Sequence, residues 1–258
     1  LTYNEYLKVP ELLQLQRTLS EPVSHDEQLF IIIHQTYELW FKQLLHEADA
    51  TVKWLGEGRA FRVNHSLRAM VAIEKVMVTQ IHVLETMAQI GFLEFRDKLN
   101  PASGFQSMQF REVEFVSGQK NEKILEHFRD DEYAYEKLSR RFVEPGLDDA
   151  FWAFVGRQGF AVGTHEQRVA ATVEVLTHPE KHGDLFMMQD LLIEHDENFS
   201  LWRYHHVLMV ERMLGLKPGT GGSEGKAVGH SLQRRPAKLA IGWLDIRAQR
   251  PGLVPAIQ

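Results

Sequence analysis

Thirteen histidines and no cysteine occur in the 258 residues. A metal centre in this chain would therefore be built from imidazole, carboxylate, phenol or thioether groups, with no thiolate on offer. The lack of cysteine also excludes disulfides and agrees with a reducing compartment. Spacing decides which histidines can cooperate. His46-Glu47 opens like the zinc helix motif, but the partner histidine would stand where Ala50 stands. A di-iron bundle wants Glu-x-x-His on two helices, and no histidine here has a glutamate three residues before it. The loop Gly219 to Gly225 lacks the lysine of a phosphate-binding loop and follows a helical pattern where such a loop follows a strand. Glu194-His195-Asp196-Glu197 reads as a solvated helix face.

Three places keep chemical interest. His34 follows Phe30 by one helical turn, so the two share a face of an apolar helix. It is either a core histidine bonded to a carbonyl or a group facing a site. His205 and His206 diverge by roughly 100° on a helix, so they cannot both reach one ion, and one is expected to turn inward. That inward imidazole is either core or a proximal haem ligand. Arg96 follows Phe92 by a turn and precedes Pro101-Ala102-Ser103-Gly104. A guanidinium can grip a carboxylate with two parallel hydrogen bonds, although a surface ion pair would use the same side chain.

The elements that must position these residues are helical. Apolar residues recur at helical spacing, and no stretch alternates in the manner of a strand. Ser24-His25-Asp26-Glu27 has the pattern of a capping box, opening a helix that runs to about Leu55, with Gly56 and Gly58 ending it. Further helices are predicted over 64–87, 92–99, 107–117, 121–129, 132–143 and 147–155. A long one runs from a cap at Asp184 to Gly215, roughly 45 Å at 1.5 Å per residue, and carries His195, His205 and His206. A weaker helical pattern follows near 235–247. No repeat or linker divides the chain, so a single all-α domain over 1–258 is expected. The net charge of −6 leaves no basic footprint for nucleic acid. No apolar run approaches the roughly eighteen residues of a membrane span, and no basic region followed by an apolar one marks a signal peptide. A cytoplasmic location is the expectation.

Several segments together resemble one family. They are Leu1-Thr2-Tyr3 with Tyr6-Leu7; His25-Asp26-Glu27 leading to Phe30, His34-Gln35-Thr36 and Glu38-Leu39-Trp40; and Phe95-Arg96-Asp97. Ser103-Gly104-Phe105-Gln106-Ser107, Gln109-Phe110-Arg111, Trp202-Arg203-Tyr204 with His206, Arg212 to Gly215, and Gly219-Thr220-Gly221-Gly222-Ser223 complete the set. Their types and order are similar to the tryptophan 2,3-dioxygenases from residue 1 to about 225, thinning across 130–180 and after Gly225.

The resemblance implies long helices around a haem pocket, an N-terminal arm (1–20) exchanged with a neighbouring subunit of a homotetramer, and a divergent tail (226–258). It implies haem b, ferrous when active, with His206 as proximal ligand and Ser103 and Gly104 lying against the haem near oxygen. His34 would be the catalytic residue, accepting a hydrogen bond from the indole N–H. Phe30 and Phe92 would wall the indole, while Tyr3, Tyr6 and Leu7 close the pocket from the neighbouring subunit. Arg96 would hold the substrate carboxylate, and Thr220 its ammonium and carboxylate side. The implied reaction inserts O2 across the indole C2–C3 bond of L-tryptophan to give N-formylkynurenine, in tryptophan catabolism. Related haem monooxygenases that add one oxygen atom to give an oxindole could share every one of these residues. A haem sensor or carrier without turnover would have no need of the clamp formed by Arg96 and Thr220.

Overall fold

The computed structural model describes residues 1–214, which form eleven α-helices and, among the described residues, no strand. In chain order the first six are α1 (Tyr3–Leu7), α2 (Val9–Leu12), α3 (His25–Glu57), α4 (Ala60–Leu84), α5 (Gln89–Phe95) and α6 (Met108–Val116). Then come α7 (Glu122–His127), α8 (Glu132–Val143), α9 (Leu147–Arg157), α10 (His165–Thr177) and α11 (Gly183–Leu214). Two 3-10 turns, Arg96–Leu99 and Gly104–Gln106, link α5 to α6. The predicted helix over 92–99 is thus α5 and the first of these turns, and the predicted 64–87 is α4. Over the described residues the all-α single-domain architecture stands. No single described helix is long and apolar enough to cross a membrane. Loop 219–225 and the pattern near 235–247 lie outside the described residues.

The scaffold is α4 packed between α3 and α11. Their inward residues, among them Phe41, Leu44, Met70, Met77, Met188 and Phe199, are all at most 3% exposed and join one hydrophobic core. The helix α3 ends where Gly58 adopts φ +74°, a left-handed conformation that costs glycine little. A second, smaller cluster (Phe115, Leu125, Phe128, Ala134 and Leu138) holds α7 and α8 against the end of α6.

Two expected caps are not made. Ser24 precedes α3, but its side chain caps nothing there, donating instead to Glu94 Oε2 at 2.8 Å. Glu27, 1% exposed, turns back to accept the Leu19 N–H (2.7 Å), the Ser20 N–H (3.0 Å) and the Ser20 hydroxyl. A buried carboxylate needs strong donors, and the arriving chain supplies three, so a tertiary contact displaces the local one. At α11 the helix begins at Gly183, which leaves Asp184 inside the first turn. There it complements the positive end of the helix rather than capping it. The helix α10 was not foreseen, though Thr164 and Gln167 form the capping box that announces it.

Candidate active site

A cavity of about 350 Å³ lies between α3, the α5-to-α6 connection and α11, within the range of small-molecule and cofactor pockets. It gathers residues far apart in sequence. From α3 come Phe30 and His34; from α5 and its following turn come Phe92 and Arg96. Ser103 and Gly104 arrive on the second 3-10 turn, and His206 on α11. Tyr3, Tyr6 and Leu7 are 73%, 73% and 44% exposed, and in this chain they stand away from the cavity. Thr220 lies outside the described residues.

His34 is half-buried, with its ring centroid 4.1 Å from that of Phe30. Its Nδ1 is 2.7 Å from the Phe30 carbonyl oxygen. A carbonyl can only accept, so Nδ1 carries the proton and Nε2 is left as an acceptor. Burial pulls the His34 pKa down, and the Phe30 carbonyl and the Glu38 carboxylate only partly restore it. The ring is neutral at ordinary pH. Phe30 also meets Phe92 at 5.9 Å and Phe95 at 5.4 Å between centroids, which makes one end of the cavity an aromatic slot.

On α11 the adjacent histidines separate as the helical geometry requires. His205 turns to an edge contact with His82 on α4, centroids 5.7 Å apart, while His206 faces the cavity. The His206 ring lies against Trp202 at 5.5 Å and 26°. Burial, and behind it the charge His34 would carry, pull the His206 pKa down to about 4. A neutral imidazole of this kind binds a metal without first losing a proton.

Among the described residues, no group of three or more His, Asp or Glu side chains is arranged to hold a metal ion. The donor set therefore does not suit a bare ion. One neutral imidazole on a cavity with mostly apolar walls does suit an iron already held by its own macrocycle, which needs a single axial ligand. Gly104 agrees: a Cβ built there would meet no atom of the chain within 4 Å, so this stretch of wall stays open. Sequence reasoning did not pick out the positive charge beside the cavity. Arg111 and Arg203, each 5% exposed, both line it. Arg111 donates to Glu114 at 2.7 Å and lies 4.5 Å from the Phe105 ring centroid; Arg203 donates to Gln119. Both stand in segments that carried the resemblance, which was the only available hint.

The expected solvated face at Glu194 to Glu197 is overturned in part. His195 and Asp196 are 1% and 5% exposed. His195 Nδ1 is 2.6 Å from Glu74 Oε1 on α4, and its Nε2 is 2.9 Å from Ser117 Oγ at the end of α6. With both ring nitrogens satisfied, a polar side chain can be buried at a position that charge pattern alone assigns to water. Desolvation pulls the His195 pKa down, and the Glu74 carboxylate more than reverses it, leaving the ring readily protonated.

Comparison with known proteins finds relatives along most of the chain. The sequence profile of the tryptophan 2,3-dioxygenase family matches residues 1–147 and 153–247, with its one break inside 130–180 and its end within the tail after Gly225. A tryptophan 2,3-dioxygenase of Nocardioides sp. is 48% identical over 233 residues, covering 88% of this chain and 87% of that protein. One from Herpetosiphon aurantiacus is 44% identical, covering 88% of this chain and 91% of its own. One from Myxococcus xanthus is 40% identical, covering 87% and 81%.

Proposed function

The chain belongs to the tryptophan 2,3-dioxygenase family, and from that premise we propose that it is a haem-dependent enzyme that opens the indole ring of L-tryptophan with O2 to give N-formylkynurenine. The observation that carries the reading is the meeting of two neutral imidazoles, His34 and His206, on one cavity that also bears Arg96. In this reading His206 would hold the haem iron and Ser103 and Gly104 would lie beside the haem, in a pocket whose lining includes Arg111 and Arg203, both paired with Glu114. When bound, ferrous haem b supplies the iron that activates O2 toward C2 and C3 of the indole.

The chain's own residues do the rest by placement. Phe30 and Phe92 form the slot for the flat indole, and Arg96 holds the carboxylate; by the family resemblance, Thr220 would hold the ammonium and carboxylate side. Fixing both ends of the substrate turns an encounter into an effectively unimolecular step. His34 accepts the indole N–H through Nε2, the nitrogen left free by the Phe30 carbonyl. It does not remove that proton outright, because an imidazole pKa near 6.5, lowered here, is far below that of an indole. Tyr3, Tyr6 and Leu7, exposed in one chain, are the residues that a second copy would insert as the lid of the pocket. A cytoplasmic homotetramer is the assembly and location that accompany this reading.

The deciding experiment is anaerobic reduction of the haem-loaded protein, addition of L-tryptophan and then O2, and mass spectrometry of the product. Two added oxygen atoms are expected. One added atom would replace the reaction with oxindole formation, and failure to develop a Soret band on haem reconstitution would remove the cofactor from the account.

A further inference from the structure

The ring of His206 does not stand alone on α11. His195, Phe199, Trp202 and His206 follow one another at spacings of four, three and four residues, which keeps them on one face over three turns, about 16 Å. Their rings form a column. His195 and Phe199 are 6.2 Å apart at 21°, Phe199 and Trp202 are 6.3 Å apart at 19°, and Trp202 and His206 are 5.5 Å apart at 26°. Each plane therefore follows the one before it.

Packing orients three of these rings, but bonds orient the fourth. Hydrogen bonds at both nitrogens, to Glu74 Oε1 and Ser117 Oγ, leave His195 unable to turn about its ring bond or to flip. Those partners come from α4 and from the end of α6, so the junction ties three helices together at a point where Glu74 is 0% and His195 1% exposed. Stability alone is a poor explanation. An apolar trio of similar volume would fill the space without desolvating a charge, and Glu74 Oε2 accepts no hydrogen bond. Buried networks of this kind specify one arrangement more than they strengthen it.

We propose that Glu74 and Ser117, acting through His195, are positioning residues that set the plane in which His206 presents its imidazole to iron. The inference rests on His206 being the haem ligand. Ser117→Ala removes one of the two bonds at little steric cost, and Ser117→Thr keeps the hydroxyl. In the ferrous holoenzyme, resonance Raman should show the iron–imidazole band of Ser117→Ala shifted or broadened. Its kcat should fall several-fold while KM for tryptophan is unchanged, and Ser117→Thr should restore the band. A Ser117→Ala holoenzyme with a lower melting temperature and an unaltered band would overturn the proposal, since a merely structural junction behaves that way. Glu74→Gln, read by the same band, decides the matter if Ser117→Ala does not fold. A native holoenzyme with no iron–imidazole band would remove His206 as ligand and overturn the functional reading itself.

Discussion

His206 meets the cavity from α11 as a neutral base with an aromatic ring behind it, while His34, another imidazole on the same cavity, has its Nδ1 committed to the Phe30 carbonyl. His206→Ala should therefore lose haem, and a variant retaining a full Soret band would contradict the assignment. His34 is asked for less. It accepts a hydrogen bond through one nitrogen, so His34→Ala should slow turnover without abolishing it; complete inactivity with haem and tryptophan both bound would indicate an obligatory base. Arg96 faces the same cavity from the turn after α5. If its guanidinium grips the substrate carboxylate away from water, Arg96→Leu should weaken tryptophan binding by about 2–5 kcal/mol. Equilibrium titration monitored at the haem would check this, and an unchanged dissociation constant would take Arg96 out of the role. How much of this site was legible follows from distance along the chain. Phe30 and His34 announce themselves as a pair one turn apart. The partners of His195 lie 121 and 78 residues away, and no local pattern could have revealed them.

The helices read well where their ends are local and poorly where they are not. The helices α6, α7 and α8 fall close to their predicted ranges because Ser107, Asn121 and Asp131 each accept a backbone N–H of the turn they begin. At α3 the same residue types mislead, since Ser24 is drawn to Glu94 and Glu27 to the chain at Leu19 and Ser20. That second contact is sensitive to pH. Burial alone would raise the Glu27 pKa, but the donors from Ser20 and Leu19 more than reverse this, so it lies below its ordinary value. A carboxylate with a depressed folded-state pKa stabilises the fold above its unfolded value, near 4.3 for glutamate, and that contribution is lost as the pH falls through the folded value. The gap in melting temperature between the native chain and Glu27→Gln should thus be widest above about pH 4.5 and close in more acid solution. A gap that ignores pH would show that the bond network is not the source.

Across the whole molecule, Tyr3, Tyr6 and Leu7 stand apart from the cavity while the scaffold helices carry most of the main core, with α6, α9 and α10 supplying much of the rest. Removing residues 1–12, which spares the Leu19 and Ser20 donors to Glu27, should leave the scaffold helices and the haem site in place yet weaken tryptophan binding, if a second copy's Tyr3, Tyr6 and Leu7 cover the pocket. Unchanged affinity in the shortened chain would show that the arm is not a lid. The architecture as a whole was foreseeable from helical periodicity. The cavity was not, because it exists only once α3, the α5-to-α6 connection and α11 converge. The separate cluster beneath α7 and α8 has a bearing on how such a cavity comes to be filled. On that side His127 and Phe105 meet at the cavity with centroids 5.9 Å apart. A rigid disc cannot thread between interlocked helices. Parting the molecule here would break the small cluster of Phe115, Leu125 and Leu138 and the Arg141 ion pairs to Asp49 and Glu112 but spare the main core, so a flat guest would meet the least buried apolar packing on this side.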